Sequence, residues 1–284
     1  MKTIKSLDKT SFESLFIAFN EAFSNYEIQI NKEELRIMLK RRGFMPKLSF
    51  GAFEDEKLIA FTLNGIGLFN GVKTAYDTGT GTIKEYRGQG IASDIFTHSL
   101  PFLKDAGISQ YLLEVLQHNT NAVSVYKKLG FNISREFNYY TQNSKQVKPY
   151  SKNLPAGCYF KEIDLDHKEQ LMQFWDFTPS WQNNFEAIMR KITDFKTIGL
   201  YKDNTPIGYC IFEPTSGDVT QIAVDKPHRR QGIASALLNE MLKHSECSSI
   251  KVVNTEISCN AMTAFLESNG IPLKGKQFEM IKKL

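Results

Sequence analysis

The sequence has little of what membrane, disulfide-rich or nucleic-acid-binding proteins require. Its four cysteines all lie beyond residue 157 and form no C-x-x-C pair, which argues against a zinc site and predicts reduced thiols in a cytoplasmic protein. No apolar run approaches the roughly 18 residues that span a bilayer, and no signal-peptide pattern follows Met1. The net charge of +4 is too small to indicate a nucleic-acid-binding protein. We therefore expect no metal, membrane or nucleic-acid partner.

The two halves of the chain repeat one pattern. The segment from Tyr86 to Ser93 recurs from His228 to Ser235 with six identities in eight positions, at an offset of 142 residues. Near the end of each half, Asn121-Ala122 with Leu129-Gly130-Phe131 is echoed by Asn260-Ala261 with Asn269-Gly270-Ile271, and the first of these pairs gives an offset of 139 residues. A chain of 284 residues is about twice the length of a typical domain. The sequence therefore predicts a first domain over 1–146, a polar linker over 147–157 and a second domain over 158–284.

Each half mixes helical and strand patterns, which predicts an α/β fold with a mixed sheet flanked by helices. In the first half we expect helices over 11–23, 91–106 and 122–129, and strands over 48–53, 57–63, 74–83, 111–116 and 131–139, the last closing the domain. In the second half we expect helices within 168–192 and over 231–244 and 261–268, and strands over 196–201, 206–212, 218–224, 250–254 and 277–281.

The repeated segment lies between a predicted strand and a predicted helix. Its small residues leave backbone amides open at a helix start, where amides and helix dipole attract phosphate. Arg87, Gln89 and Ser93 add charge and side-chain donors in the first copy. The alternative is a tight turn that needs glycine for steric reasons alone. The second copy favours phosphate binding, and the absence of GK[ST] or G-x-G-x-x-G disfavours ATP and nicotinamide cofactors.

The R-x-x-G-x-A loop after a strand, followed by Leu113-Glu114-Val115 and then Leu129-Gly130-Phe131, resembles the GNAT N-acetyltransferase superfamily. The resemblance covers both halves and implies tandem domains, each with a splayed sheet that binds acetyl-coenzyme A. It implies that the backbone of three strand residues in each half pairs with the pantetheine arm: Thr80, Gly81 and Thr82, then Ile222, Ala223 and Val224. It implies that the loops hold the pyrophosphate through Gly88, Gln89, Gly90, Ile91, Ala92 and Ser93, and through Arg230, Gln231, Gly232, Ile233, Ala234 and Ser235.

Acetyl transfer to an amine requires a base for the amine and an acid for the leaving thiolate. The resemblance assigns the acid to Tyr126, a coenzyme A contact to Asn119 and, as in some members of the family, the base to Glu114. Asp77, in the strand expected beside the cleft, is the rival base. The alternatives are that Tyr126 lies in water on a helix face and that Glu114 pairs structurally with a lysine.

The second half departs from this pattern. An offset of 139 residues places Phe265 opposite Tyr126 and Val253 opposite Glu114, so the second half lacks an acid while keeping its phosphate loop. We expect catalysis in the first half, with catalysis in the second half or a coenzyme A-binding regulator without turnover as alternatives. The acceptor is a small-molecule or peptide amine that the sequence does not identify, with residues 69–72 and 137–140 expected near its pocket. Internal pseudo-symmetry favours a monomer.

Overall fold

The computed structural model describes residues 2–24, 29–150 and 154–284, which form two compact units. The first unit comprises the residues up to Ser134 together with Phe278–Leu284, and the second comprises Arg135–Gln277. Among the helices of the described residues, none is long and apolar enough to cross a bilayer.

The first unit follows the expected order, with two additions that the sequence did not predict: a strand at its start and a helix over residues 32–42. Its elements are β1 (Lys2–Ser6), α1 (Phe12–Phe23), α2 (Lys32–Arg42), β2 (Phe50–Glu54), β3 (Lys57–Phe69), β4 (Val72–Thr82), α3 (Ile91–Asp105), β5 (Gln110–Leu116) and α4 (Thr120–Lys128). The strands lie side by side in the order β1-β2-β3-β4-β5. All pairs are antiparallel except β4 with β5, which is parallel.

The second unit repeats this plan with shorter helices at its start. Its elements are β6 (Asn132–Asn143), β7 (Cys158–Glu162), α5 (Lys168–Met172), α6 (Phe185–Met189), β8 (Lys196–Lys202), β9 (Thr205–Glu213), β10 (Asp218–Val224), α7 (Ile233–His244), β11 (Ser249–Glu256), α8 (Asn260–Ser268) and β12 (Leu273–Lys283). The strand order is β6-β11-β10-β9-β8-β7, with β10 and β11 parallel.

Each unit contains a strand from the other half of the sequence. Residues 135–143 of β6 lie in the second unit, where they pair antiparallel with β11. Residues 278–283 of β12 lie in the first unit, beside β5, and the Leu284 amide donates to the Ser109 carbonyl at 3.0 Å. The division into compact units therefore differs from the predicted boundary at 147–157, and the predicted strand over 131–139 does not close the first domain.

The exchanged strands also contribute apolar side chains to the two units. In the first unit, Met280 packs with Tyr111, Leu113 and Phe131 between β5 and the helices α3 and α4. In the second unit, Tyr140 lies in the core with Leu237 and Ile250. Residues 137–140 were expected near an acceptor pocket, but Phe137 and Tyr140 are fully buried. Tyr140 therefore belongs to the second unit's core, and neither ring is open to a ligand.

The β3–β4 connection is a tight hairpin. Phe69 pairs with Val72, and the two residues between them, Asn70 and Gly71, both have positive φ, at 51° and 77°. Asn-Gly is the sequence most typical of this two-residue turn, because both positions require the left-handed region. The turn therefore fixes the register of β3 with β4.

Candidate active site

The sheet of the first unit opens between β4 and β5. The two strands pair from Thr74 with Gln110 to Tyr76 with Leu112, and no pairing follows although both strands continue. On the other edge of β4, Thr78 is bulged out of the β3 ladder, and its carbonyl accepts a hydrogen bond from Arg42 Nη1 at 3.0 Å. A cavity of about 180 Å³, the first cleft, lies at this opening.

The first cleft brings Tyr126 and Asp77 together. The Tyr126 hydroxyl on α4 donates to Asp77 Oδ2 at 3.1 Å, and the Thr80 hydroxyl donates to the same oxygen at 2.8 Å. The Gly79 amide donates to Asp77 Oδ1 at 2.9 Å. Burial raises the pKa of Asp77, while these three hydrogen bonds oppose the rise because they favour the carboxylate. The acid and the rival base predicted from the sequence are therefore direct partners.

Glu114 lies apart from this pair. Successive side chains of a strand point to opposite faces, so Tyr76 and Glu114 share the face of the sheet away from Asp77 and Tyr126. The Tyr76 hydroxyl donates to Glu114 Oε2 at 3.1 Å. Burial, reinforced by the Glu114 charge, raises the pKa of Tyr76 well above its ordinary value. The two carboxylates therefore stand on opposite sides of the same opening, each paired with a tyrosine.

The first glycine loop, residues 87–93, presents open backbone at the start of α3. Gly88 and Gly90 have φ of 75° and 78°, and a Cβ added at either position would meet no atom within 4 Å. Gly90 is the N-cap of α3 and supplies no side-chain capping bond, so the amides of the first turn face outward. This surface fits a pyrophosphate, which helix N-termini of this kind bind through their amides and dipole.

Arg87 donates hydrogen bonds to two backbone carbonyls. Its guanidinium donates from Nε to the Thr82 carbonyl at 3.1 Å and from Nη2 to the Ala22 carbonyl at 2.8 Å. Arg229 repeats this arrangement with the carbonyls of Val224 and Phe174. In both halves the arginine therefore ties the loop to the strand before it and to the end of an earlier segment.

The predicted residues of the first half fall into two groups. Asn119 caps α4, where its Oδ1 accepts from the Ala122 amide at 3.2 Å. Those that line the first cleft are Asp77, Thr80, Gly81, Thr82, Ala92 and Tyr126. Those that do not line it are Arg87, Gly88, Gln89, Gly90, Ile91, Ser93, Glu114 and Asn119.

The second unit has a much larger opening, the second cleft, of about 1010 Å³. A single parallel pair, Asp218 with Lys251, joins β10 to β11 before the strands separate. Thr220 is bulged out of the β9 ladder at the position equivalent to Thr78. Every second-half residue predicted to contact coenzyme A lines this cleft: Ile222, Ala223, Val224, Arg230, Gln231, Gly232, Ile233, Ala234 and Ser235.

Tyr150 covers the second glycine loop, residues 229–235. A Cβ added at Gly232 would lie 2.2 Å from the Tyr150 hydroxyl oxygen, whereas the equivalent position at Gly90 is open. The segment that carries this ring is held along the second unit, because the Lys148 amide donates to the Asn269 carbonyl at 3.0 Å. The phenol therefore rests on the surface where a phosphate would bind.

The end of α8 corrects the predicted match between the halves. The Phe131 amide donates to the Tyr126 carbonyl, and the Ile271 amide donates to the Leu266 carbonyl, so this helix and the turn after it match at an offset of 140. The assignment of Phe265 as the equivalent of Tyr126 is therefore wrong by one residue. Leu266 takes that place, and the second unit still has no tyrosine on this helix turn.

The strand before this helix keeps the predicted offset of 139. Tyr76 pairs with Leu112 and its equivalent Asp218 pairs with Lys251, so Val253 lies opposite Glu114. Asn254 is the extra residue, at the irregularity in the pairing of β11 with β6 between Val252 and Thr255. Asn254 is buried with a positive φ of 60°, and its amide nitrogen donates to the Ser180 hydroxyl at 2.9 Å. Cys259 takes the place of Asn119 at the start of the helix. The second unit thus holds a valine where the first holds the carboxylate of Glu114.

A chain of neutral polar groups lines the second cleft and was not predicted. Trp175 Nε1 donates to the Tyr209 hydroxyl at 2.6 Å, and that hydroxyl donates to Gln221 Oε1 at 2.8 Å. Gln221 Nε2 donates to the Asn183 carbonyl at 2.7 Å. Trp175 and Asn183 come from the irregular segment around α5 and α6, where no spacing in the sequence indicated a site.

Comparison with known proteins gives consistent matches. A model described as the acetyltransferase (GNAT) family matches residues 12–131 and 161–270. N-alpha-acetyltransferase 30 of Schizosaccharomyces pombe is 33% identical over 97 residues, 34% of this chain and 65% of that protein. Thialysine N-epsilon-acetyltransferase of Sus scrofa is 50% identical over 46 residues, 16% of this chain and 27% of that protein. The chain thus matches less than two thirds of either relative's length.

A solved structure described as a tandem GNAT protein from the clavulanic acid biosynthesis pathway has a TM-score of 0.76. The alignment covers 100% of this chain and 98% of that chain at 13% identity. At this identity the likeness concerns the fold, and it extends over both units.

Proposed function

Because the chain belongs to the acetyltransferase (GNAT) family, we propose that it transfers an acetyl group from acetyl-coenzyme A to a primary amine. The observation that carries this proposal is the Tyr126 hydroxyl, held at the point where β4 and β5 separate. The open glycine loop at the start of α3 lies in the same unit and fits the pyrophosphate. A binding protein without turnover has no use for a phenol held in this way.

The reaction that fits these groups is direct transfer. The amine nitrogen bonds to the acetyl carbon as the carbon–sulfur bond breaks, and the electron pair of that bond goes to sulfur. Tyr126 donates its phenol proton to the sulfur, and Glu114, on the opposite face, takes the amine proton. Glu114 then releases its proton to water, and Tyr126 takes one up from water. The acceptor is a peptide or small-molecule amine.

We test the activity by incubating the full chain with acetyl-coenzyme A and separate amines, and by measuring the coenzyme A thiol that is released. The amines are a peptide with a free α-amine, thialysine, spermidine and glucosamine. Tyr126→Phe is expected to lower kcat about 10²- to 10⁴-fold, the usual contribution of a general acid. Tyr159→Phe, on exposed β7 of the second unit, is the matched control. Equal activity of Tyr126→Phe and wild type would sink the assignment.

The second candidate is catalysis in the second unit, which its larger cleft favours. The equivalent residues Ser93 and Ser235, in the first turns of α3 and α7, provide a matched pair of variants. A glutamate at either position is compatible with a helix N-terminus but repels a phosphate there. Calorimetry with acetyl-coenzyme A then assigns each binding event to a cleft. Turnover lost with Ser235→Glu and kept with Ser93→Glu would move catalysis to the second unit.

A further inference from the structure

Asp77 is the most heavily hydrogen-bonded group of the first cleft. Its Oδ2 accepts from both Tyr126 and Thr80, and its Oδ1 accepts from the Gly79 amide. A base for the incoming amine needs an oxygen that the amine can reach, and here both oxygens are already engaged. Asp77 also shares the α3 and α4 side of the sheet with Tyr126, whereas Glu114 lies on the other side with Tyr76.

We infer that Asp77 is a positioning residue that controls the direction of the Tyr126 proton, and that it is not the amine base. When Asp77 is ionised, Tyr126 donates to it across the 3.1 Å contact, and the phenol proton points away from the cleft. When Asp77 is protonated, the carboxyl donates to the phenol oxygen across the same contact. The phenol proton then faces the cleft and is available to the leaving sulfur. This inference rests on the proposed function.

The surroundings of Asp77 favour the protonated form of its carboxyl group. Burial is the main influence on its pKa and raises it. The charged group that opposes this is Arg42 at the end of α2, whose guanidinium is bonded to the Thr78 carbonyl. Tyr111 on β5 is deeply buried, and burial together with the Asp77 charge raises the pKa of its phenol. Tyr111 therefore stays neutral, and Asp77 and Tyr126 form the part of this cluster that can exchange a proton.

The first test needs no acceptor. The protein is labelled with ¹³C at its aspartate carboxyl carbons, and Asp77 is assigned by the loss of its signal in Asp77→Asn. Tyr126→Phe and Thr80→Val should each raise the pKa of Asp77, because each removes a hydrogen bond that favours the carboxylate. Asp105, exposed at the end of α3, serves as the internal control. An unchanged Asp77 titration in Tyr126→Phe would overturn the inference, whether or not the protein turns over.

The second test separates a positioning residue from a base. The side-chain amide introduced by Asp77→Asn can donate to the phenol oxygen as the protonated carboxyl does, so this variant should keep at least about a tenth of wild-type kcat. Asp77→Leu cannot donate and should fall to the level of Tyr126→Phe, about 10²- to 10⁴-fold. Adding Tyr126→Phe to Asp77→Leu should cause little further loss, since the two residues act through each other. If Asp77 were the base, Asp77→Asn and Asp77→Leu would be equally inactive, and the losses in the double variant would multiply.

The dependence of kcat on pH separates a protonated positioning residue from an ionised base without any change at Asp77 itself. If protonated Asp77 is the productive form, kcat falls on the alkaline side as Asp77 ionises. Thr80→Val, which raises the Asp77 pKa, then moves that alkaline limb to higher pH. A base would instead give an acid limb, and the same variant would move that acid limb upward.

Discussion

At the residue scale, the two halves differ in a few side chains set on the same backbone. Tyr126 and Glu114 of the first unit are replaced by Leu266 and Val253 in the second, at equivalent places on the helix and the strand. Neither leucine nor valine can donate or accept a proton. The acid and base that we propose therefore have no counterparts at these two positions of the second unit, although its cleft is the larger.

Asp77 should lower the stability of the fold at neutral pH. Burial raises its folded-state pKa above the unfolded value, so its contribution to stability is fully present at low pH and is lost as pH rises through the folded pKa. Asp77→Asn removes the buried charge. The melting temperature of the variant minus that of wild type should therefore become more positive as the pH is raised from 4 to 8. Asp105→Asn is the exposed control. A difference in melting temperature that does not depend on pH would contradict the stated cause.

At the element scale, the glycine loops show which features of a site a sequence can predict. Their place between strand and helix, the positive φ of Gly88, Gly90 and Gly232, and the outward amides follow from residue type and spacing. The capping box of Asn31 and Glu34 at the start of α2 is also visible in the sequence, but the helix that it begins was not predicted. The short α5 and α6 replace the longer helices expected within 168–192, where Pro179 interrupts the segment.

The contact between Tyr150 and Gly232 was not predictable, because nothing in local spacing tells which distant surface a linker side chain covers. We expect Tyr150→Ala to strengthen binding of acetyl-coenzyme A at the second cleft, since the ring no longer has to be displaced. A rough threefold to tenfold gain corresponds to a loop covered in most molecules. Calorimetry in the Ser93→Glu background isolates this site, and Tyr159→Ala is the control. Weaker binding would mean that the phenol contacts the ligand instead of competing with it.

At the scale of the whole molecule, the exchange of strands sets the limits of what can fold alone. A fragment of residues 1–157 lacks the 278–284 segment and with it Met280, which is fully buried beside β5. A fragment of residues 158–284 lacks β6, including buried Phe137 and Tyr140. Loss of even one large buried side chain costs about 3–5 kcal/mol, against a typical total stability of about 5–15 kcal/mol.

We therefore expect neither fragment to show a cooperative thermal transition by itself, and expect the two to recover one when they are expressed together. Circular dichroism during heating measures both outcomes, with the full chain as control. A sharp transition of the 1–157 fragment alone would show that the exchanged strand is dispensable.

The repeat, the element order and the mixed sheet could all be predicted, because apolar periodicity and glycine placement are local properties of the sequence. β10 was predicted at its observed bounds. The exchange of β6 and β12 could not be predicted in this way, since the alternation of a strand gives its faces but not its neighbour. The difference between clefts of about 180 and 1010 Å³ also depends on where two strands stop pairing, which no single segment encodes.

The place of residues 278–284 also has a consequence for synthesis. A chain made from its N-terminus builds β1 to β5 first, yet the strand that borders β5 is made after the whole of the second unit. Until then the first unit exposes the edge of β5, and such an unpaired edge can pair with other chains. The unit that is translated first is therefore completed last. The edge of β5 stays unpaired, and open to association with other chains, until translation of the second unit has ended.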